Sequence, residues 1–339
     1  MKKITTALIG YGLSGREFHL PQLITNPHYM LKTVLTSNPH SQQHIKSIST
    51  EIEIVTDYNT VLEDPQIDLI VLAVSNDVHY EYTKKALLNN KHVICEKPFV
   101  KTSKEANYLF DLAKKKGLML RVFHNRKYDG DILTLEKVLQ EQPLGKMVSF
   151  HARFDRYVPV IKDNWRHKAG HMSGIYYDLA PHLVHHCVRL FGEPLSVFNQ
   201  VFLDRPHSKT DDHFEMVLNY EHMTCFIGAE PYEREAIPKL KLVGTEATYV
   251  KYGFDVPDVV VSMTDEFQSV GLKSVFIKSP GNIESIPLMQ GKHYAFYIQL
   301  YKDITTPLTQ DIEAIHALSV IKIMEKGEVS LRKKRVIQL

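Results

Sequence analysis

The segment that most restricts how this chain can fold is a glycine-rich turn close to its first residue. A short apolar run, from Ile4 to Ile9, ends at a Gly-x-Gly-x-x-Gly pattern. In such a turn the first glycine permits a tight reversal, the second lets a pyrophosphate approach the backbone, and the third lets the next helix pack closely on the strand. The pattern predicts a dinucleotide-binding strand–turn–helix unit, whose contacts we expect from Gly10, Gly12, Leu13, Ser14 and Gly15.

Short apolar runs continue to alternate with helix-like segments as far as residue 124. The runs that follow the glycine turn are residues 31–36, 52–55, 68–74, 92–95 and 118–123. Segments 78–88 and 103–116, which lie between them, repeat apolar side chains at helical spacing. Strands that alternate with helices are typical of a parallel sheet covered on both faces. We therefore predict an α/β fold that begins with a doubly wound Rossmann domain over residues 1–124.

The pattern changes after residue 124. Val148, Phe150, Ala152 and Phe154 alternate with polar residues, which is the period of a half-buried antiparallel strand. Similar runs are residues 214–220, 239–243, 247–251, 259–263 and 274–277, and helix-like segments are 132–141, 177–191, 293–304 and 312–326. A chain of 339 residues is longer than one core usually organises. We predict a second domain over residues 125–339, of α+β class, with a large and mostly antiparallel sheet.

Composition excludes several classes of protein. Lys and Arg number 41 against 39 Asp and Glu, a balance that argues against a dedicated nucleic-acid binder. The basic runs 114–116 and 332–335 are interpreted as solvated ends of helices or strands. Three distant cysteines, Cys95, Cys187 and Cys225, indicate reduced thiols, and no apolar run approaches the ~20 residues of a membrane span. We expect a cytoplasmic protein that binds neither nucleic acid nor membrane.

The segment after the second predicted strand bears on the choice of cofactor. A site for NAD usually carries an acidic residue there, which binds the ribose 2′-hydroxyl. This strand ends instead at Ser37 and Asn38, and no acidic residue occurs between Phe18 and Thr50. The same interval holds the cationic or titratable residues Lys32, His40, His44 and Lys46. The pattern favours NADP over NAD, with Ser37 and Asn38 in contact; alternatively these residues only solvate a surface loop.

A lysine follows the fifth predicted strand. Glu96-Lys97-Pro98 comes directly after residues 92–95. Ligands of open α/β sheets bind beyond the carboxyl ends of the strands, so Lys97 is predicted to project toward a bound nicotinamide. The alternative is a surface Glu–Lys pair at the end of a strand.

A carboxylate and an imidazole lie four residues apart in a helix-like segment. Asp178 and His182 can meet on one helical face, where the carboxylate would orient the imidazole for use as a general base. Alternatively, Asp178 only caps the helix, with Pro181 in its first turn. His185 and His186 are expected at the polar boundary of this helix. With no third ligand determined by spacing, we predict no metal site.

Together these motifs resemble the glucose–fructose oxidoreductase, inositol dehydrogenase and rhizopine catabolism (Gfo/Idh/MocA) family. Within it the sequence is similar to the branch of NADP-dependent scyllo-inositol 2-dehydrogenases. The resemblance covers nearly the whole chain and rests on residues 10–21, 75–79, 96–99, 124–129, 165–166 and 177–182. Glu-Lys-Pro followed by Asp-x-x-x-His is the most specific part.

The resemblance implies a mechanism and a set of binding residues. A polyol or sugar carbon passes its hydride to NADP, while His182 removes the hydroxyl proton, Lys97 stabilises the alkoxide and Asp178 orients His182. Further cofactor contacts are implied at Ser75, Asn76, His79 and Glu96, and substrate contacts at Arg126, Tyr128, Arg156 and Trp165. A homodimer or homotetramer, paired through the outer face of the second sheet, is also implied. Alternatives are another enzyme class on the same scaffold, either a redox-assisted glycosidase or an imine or pigment reductase, and a non-catalytic NADPH-sensing regulator.

Overall fold

The computed structural model describes residues 3–161, 170, 172–235, 237–254, 273–306 and 309–339. These residues form two compact units. The first unit runs to His124 and also contains Tyr294–Ile315. The second unit consists of Asn125–His293 and His316–Leu339.

The first unit contains a parallel sheet of six strands, in the order β3-β2-β1-β4-β5-β6. The strands are β1 (Ile4–Ile9), β2 (Tyr29–Leu35), β3 (Glu53–Val55), β4 (Leu69–Leu72), β5 (His92–Cys95) and β6 (Leu120–Val122). The helices are α1 (Leu20–Thr25), α2 (Pro39–Ile48), α3 (Tyr58–Glu63), α4 (His79–Leu88), α5 (Ser103–Lys115) and, much later in the chain, α8 (Ala295–Thr305). The predicted Rossmann fold is confirmed.

Burial explains why this part of the sequence reads as short apolar runs. Every residue of β1 and of β4 is buried, as expected for strands that are covered on both faces. The strand order reverses between β1 and β4, so the switch point of the sheet lies at their carboxyl ends. β4 is shorter than the predicted run 68–74, because Ala73 already belongs to the turn that packs against Gly10.

The segment Tyr294–Ile315 packs in the first unit, although the sequence assigned it to a single second domain that begins at residue 125. A hydrogen bond and two ion pairs hold it there. The Tyr29 hydroxyl donates to the carbonyl oxygen of Tyr297 at 2.7 Å. The Arg121 guanidinium pairs with Asp303 at 2.9 Å and with Asp311 at 2.7 Å. These partners are 182 or more residues apart in the chain, so no local pattern reveals them.

Within the described residues, the second unit contains a nine-stranded sheet in the order β14-β13-β12-β11-β7-β10-β9-β8-β15, and of these strands only β7 and β10 pair in parallel. The strands are β7 (Met147–Arg153), β8 (Ser196–Phe202), β9 (His213–Asn219), β10 (Thr224–Ala229), β11 (Pro238–Gly244), β12 (Thr248–Tyr252), β13 (Lys273–Ser279), β14 (Asn282–Ser285) and β15 (Ile337–Gln338). The helices are α6 (Gly130–Glu141), α7 (Ile175–Phe191) and α9 (Ile312–Lys333), and the first four residues of α9 are counted with the first unit. The predicted, mostly antiparallel sheet is confirmed.

The alternation seen in the sequence corresponds to the two faces of this sheet. Phe150, Ala152, Leu218 and Ile227 point into a core against which α7 packs. β8, β10, β14 and β15 were missed, because these strands are short or mix polar and apolar residues irregularly. The predicted strand at residues 259–263 lies outside the described residues.

The basic runs 114–116 and 332–335 lie at the ends of α5 and α9 and are exposed, as interpreted from the sequence. Among the helices of the described residues, none is long and apolar enough to cross a membrane.

Candidate active site

The glycine turn follows β1, and its backbone lies very close to the end of β4. Gly10 has a φ of +94°, and a Cβ built there would lie 2.2 Å from the carbonyl oxygen of Ala73. A Cβ on Gly15 would lie 2.3 Å from the carbonyl oxygen of Gly10. A Cβ on Gly12 would meet no atom of the described residues within 4 Å. Packing therefore requires glycine at positions 10 and 15, whereas position 12 borders open space that a pyrophosphate could occupy.

The helix behind the turn is irregular. Residues Gly15–His19 form one turn of π-helix, and α1 continues from Leu20 with Pro21 in its first turn. Proline has no backbone N–H to donate, which fits the change of helix type at this position. Leu13 and Ser14 lie at the start of the helical segment, where backbone N–H groups can bind an anion.

The predicted contacts for the adenosine ribose lie after β2. Ser37 and Asn38 are exposed there, and the Asn38 side-chain oxygen caps α2 by accepting from the backbone N–H groups of His40 and Ser41. On α2, the His44 Nδ1 lies 2.9 Å from the Tyr11 hydroxyl of the glycine turn. His44 is thereby brought beside the turn, a contact that the sequence did not reveal.

Lys32 does not belong with this group. Its ammonium donates to Asp64 at 2.5 Å and to Gln66 at 2.9 Å. Both partners precede β4 and lie toward the amino ends of the parallel strands. Its charge is therefore directed away from the carboxyl end of β2, where a 2′-phosphate would bind.

The turn after β4 carries the predicted contacts Ser75, Asn76 and His79. Ser75 and Asn76 begin a 3₁₀ turn, and His79 begins α4. The His79 ring is completely buried, with Nδ1 2.8 Å from the carbonyl oxygen of Pro98 and Nε2 3.2 Å from that of Val74. Burial lowers the pKa of His79, which favours the neutral ring. A neutral ring has one N–H and donates to one of these two carbonyl oxygens, so the His79 ring lies between the turns that follow β4 and β5.

Glu96 and Lys97 lie where the sequence predicted, at the carboxyl end of β5. Glu96 accepts hydrogen bonds from the Ser14 hydroxyl, from His19 Nε2 at 3.2 Å and from the Lys97 backbone N–H at 3.1 Å. Burial alone would raise the pKa of Glu96, but the bonds from His19 and Ser14 hold it below its usual range. The Glu96 side chain is only 12% exposed. Lys97 itself is half-buried.

The predicted catalytic pair, Asp178 and His182, lies on α7 of the second unit. This helix begins at Ile175, three residues before Asp178, and the Asp211 side chain accepts from the Tyr176 backbone N–H at 2.7 Å. Burial raises the pKa of Asp211 to about 6. The alternative that Asp178 caps the helix is wrong, since Asp178 is already within the first turn and Pro181 within the helix. Asp178 and His182 remain four residues apart on a continuous helix, as their proposed pairing needs.

The histidines of α7 are more deeply buried than expected. His182 is 6% exposed, and His185 and His186 are 2% exposed each. Burial lowers the pKa of His186 to about 4. The expected position of His185 and His186 at a polar boundary is wrong, because α9 also covers the helix: His316 of α9 lies 6.0 Å from His185, ring centre to ring centre. No cluster of potential metal ligands is found among the described residues.

Two of the predicted substrate residues, Arg126 and Arg156, lie over two stacked phenylalanines of the second unit. Phe154 and Phe254 stack at 5.9 Å between ring centres, with Arg126 over the first ring at 5.2 Å and Arg156 over the second at 5.3 Å. Tyr128 belongs to the same 3₁₀ turn as Arg126, and this turn packs against α7. Trp165 lies outside the described residues.

A buried charge network of the second unit was missed from the sequence. Asp129 accepts from Arg126 at 3.0 Å and contacts His293 Nε2 at 2.7 Å, while Asp131 pairs with Lys239 and, at 3.4 Å, with Lys251. Burial alone would raise the pKa of Asp129, but Arg126 and His293 hold it well below its usual range. The network holds Arg126 in place. Of these contacting pairs, only Arg126 and Asp129 are close in the sequence, since Lys239, Lys251 and His293 lie 108 or more residues from the carboxylates they contact.

Comparison with known proteins agrees with this geometry. Residues 4–124 match the oxidoreductase family with an NAD-binding Rossmann fold, and residues 132–250 match the Gfo/Idh/MocA C-terminal domain. The chain is 28% identical to the scyllo-inositol 2-dehydrogenase (NADP+) of Bacillus subtilis, over 99% of this chain and 96% of that protein. It is 31% identical to the oxidoreductase YdgJ of Escherichia coli, over 99% of both chains. It is similar to the solved structure of the B. subtilis oxidoreductase YvaA, with a TM-score of 0.90, 26% identity and coverage of 100% and 99%.

The glycine turn yields a prediction that separates packing from ligand contact. Gly12→Ala should leave the thermal midpoint of unfolding nearly unchanged, because its Cβ meets no described atom, yet weaken dinucleotide binding by about 10-fold or more. Gly10→Ala should lower the midpoint by several degrees, since its Cβ meets a carbonyl oxygen and φ is positive. Calorimetric titration and thermal melts measure the two effects. Equal loss of stability in both variants would contradict the assignment of Gly12 to the ligand.

Proposed function

The chain belongs to the Gfo/Idh/MocA family of oxidoreductases, and from that premise we propose that it is an NADP-dependent dehydrogenase of an inositol-like polyol or sugar. Two features, one in each unit, support the proposal. Lys97 lies at the end of β5, linked through Glu96 to the dinucleotide turn, and α7 carries Asp178 and His182 on one continuous helix. A relative that matches almost the whole chain is a scyllo-inositol 2-dehydrogenase.

The first unit fits a bound dinucleotide. Gly12 borders open space at the turn, the start of the following helix offers backbone N–H groups, and Lys97 lies at the strand end beyond which such ligands bind. When bound, the nicotinamide supplies the acceptor for a hydride. The protein's own side chains then have to accept the proton of the substrate hydroxyl and stabilise the negative charge on its oxygen.

We assign the proton to His182. A neutral imidazole can accept the proton of a substrate hydroxyl, and a carboxylate at i−4 can orient the ring and stabilise the imidazolium that forms. Asp178 has this position on α7. General base catalysis of this kind is worth roughly 10²- to 10⁴-fold in rate.

We assign the charge on oxygen to Lys97. An ammonium close to the reacting hydroxyl stabilises the alkoxide as the proton leaves, and it acts mainly as charge develops. The half-buried position of Lys97 strengthens such an interaction relative to bulk water. Arg126, Tyr128, Arg156 and Trp165 are proposed to bind the remaining hydroxyl groups of the substrate.

The preference for NADP rests on the segment after β2. The described residues there include no carboxylate that would repel a 2′-phosphate, and exposed Ser37 and Asn38 offer a hydroxyl and an amide. His44 lies beside the turn through Tyr11. If the phenol donates to Nδ1, the ring keeps its Nε2–H as a donor for a phosphate oxygen.

Catalytic roles are tested by two substitutions. With NADP and a panel of inositols and sugars, Lys97→Ala and His182→Ala should each lower kcat about 100-fold or more, while NADPH binding changes less than about threefold. The readouts are absorbance at 340 nm and calorimetric titration. Lys104→Ala and His222→Ala, both at exposed positions, are the matched controls and should keep full activity.

Near-normal turnover in both variants would overturn the assigned roles. Cleavage of a glycoside without net change in NADP would instead indicate a redox-assisted glycosidase. Binding of NADPH without turnover of any compound in the panel would indicate a regulator that senses the cofactor.

Cofactor preference is tested with cofactor fragments. The wild-type protein should bind 2′,5′-ADP more tightly than 5′-AMP, and His44→Leu should weaken the first about 10-fold without affecting the second, since a charge-assisted hydrogen bond contributes about 1.5–3 kcal/mol. Lys46→Ala, at the far end of α2, is the control. Equal binding of the two fragments by the wild-type protein would refute the preference for NADP.

We also propose a homodimer or homotetramer that pairs through the outer face of the second sheet. A cross-strand row there consists of His151, Phe226, Val217 and Phe198, in which Phe226 stacks on His151 and is 38% exposed. Apolar and aromatic side chains at the centre of a sheet face are typical of an interface. Phe226→Asp should reduce the mass measured by light scattering, whereas Ile283→Asp, at the exposed strand β14, should not. A monomeric wild-type protein would disprove the pairing.

A further inference from the structure

We propose that His19 is a positioning residue for Lys97, acting through Glu96, and that it thereby couples the dinucleotide turn to the catalytic lysine. The inference rests on the proposed role of Lys97 in hydride transfer. It concerns contacts within the first unit alone. His19 belongs to the segment 10–21 on which the resemblance rests, but the sequence analysis assigned it no role.

The ring of His19 is completely buried and has a polar partner at each nitrogen. Nε2 lies 3.2 Å from Glu96 Oε1, and Nδ1 lies 2.8 Å from the Tyr297 hydroxyl. An ionised carboxylate can only accept, so Nε2 carries the proton that is shared with Glu96. Burial raises the pKa of Tyr297 well above its usual value, so the phenol keeps its proton and can donate it to Nδ1 of a neutral ring.

Glu96 joins three separate parts of the chain. Its Oε1 accepts from Ser14 of the glycine turn and from His19 of the helix behind it, and its Oε2 accepts from the backbone N–H of Lys97. Two donors on one oxygen leave the other oxygen directed at the peptide of Lys97. The orientation of the carboxylate therefore depends on His19 and Ser14 together.

Packing alone does not explain a histidine at this position. The ring lies 4.2 Å from Phe123, centre to centre, and an apolar side chain could fill the same space beside it. A buried imidazole carries a desolvation cost that only its hydrogen bonds offset. Both ring nitrogens have hydrogen-bond partners, and Nε2 orients the Glu96 carboxylate that accepts from the Lys97 backbone N–H. The structure therefore assigns the imidazole to positioning this carboxylate.

The expected consequence of losing the ring is a displaced lysine with an intact cofactor site. Without the Nε2–H, the Glu96 carboxylate is free to rotate about its remaining bond to Ser14 and to release the Lys97 peptide. Misplacement of a catalytic group by about 1 Å can cost about 100-fold in rate. The glycine turn keeps its own backbone contacts at Gly10 and Gly15, so dinucleotide affinity should change little.

The test compares His19→Leu with His19→Gln, because the glutamine amide can donate to Glu96 and accept from Tyr297 as the imidazole does. His19→Leu should lower kcat about 30- to 100-fold with NADPH affinity within about threefold of wild type, and His19→Gln should restore at least a third of the activity. His92→Leu is the matched control. It removes a half-buried ring of the first unit whose Nδ1 accepts from the Met119 backbone N–H at 2.9 Å, at the amino end of β5.

A second readout needs no substrate. Lysines of each full-length variant are dimethylated with ¹³C-formaldehyde, and the methyl resonance of Lys97 is assigned by its loss in Lys97→Arg. This resonance should move in His19→Leu, return toward its wild-type position in His19→Gln and stay unmoved in His92→Leu. The readout remains valid if no polyol in the panel is oxidised, so failure of the proposed function can be told apart from failure of this inference.

Two results would overturn the inference. One is an unmoved Lys97 resonance in folded His19→Leu. The other is a displaced resonance that His19→Gln does not restore, or that His92→Leu reproduces, because either indicates a general loss of packing in the first unit.

Discussion

The close approach of the glycine turn to the end of β4 is the constraint on which the first unit depends. A Cβ at Gly10 or Gly15 would fall well inside the contact distance of a carbonyl oxygen. The chain therefore changes direction at the switch point of the sheet without filling the space at the strand ends, and Gly12 borders that open space. With the turn in this position, Ser14 and His19 reach Glu96, and Glu96 reaches the peptide of Lys97.

The second unit contains a network of buried ion pairs that positions side chains near α7. Helix α7 is covered by the sheet and by α9, so its three histidines are removed from water. Asp129 and Asp131 stay ionised beside Arg126, Lys239 and Lys251, because each acid has cationic partners within its own unit. Removing one partner from such a network would leave a buried charge uncompensated, which is strongly destabilising. The network thus restricts where Arg126 can lie relative to α7.

The sequence predicted most of the elements whose signal is local. The apolar runs of β1 and β5, the helical spacing of α5 and the alternation of β7 were each recognised within a few residues. Strands such as β8 and β10 were missed because they mix polar and apolar residues irregularly, although both pair with the recognised strand β9. The alternative of a helix cap at Asp178 stayed open in the sequence because the acceptor of the first-turn N–H, Asp211, lies 35 residues after Tyr176.

The sequence by itself determined the Rossmann class of the first unit and the glycine positions of its turn, and it supplied the residues that we propose for hydride transfer. These follow from short-range spacing, which the backbone geometry of strands, turns and helices converts directly into structure. Only the tertiary structure decided that Tyr294–Ile315 packs in the first unit, that His44 rather than Lys32 lies beside the turn, and that His19 supports Glu96. These contacts join residues that are 32 to 278 positions apart in the chain. Many polar side chains look alike in the sequence, and only the folded chain decides which of them is buried against a partner.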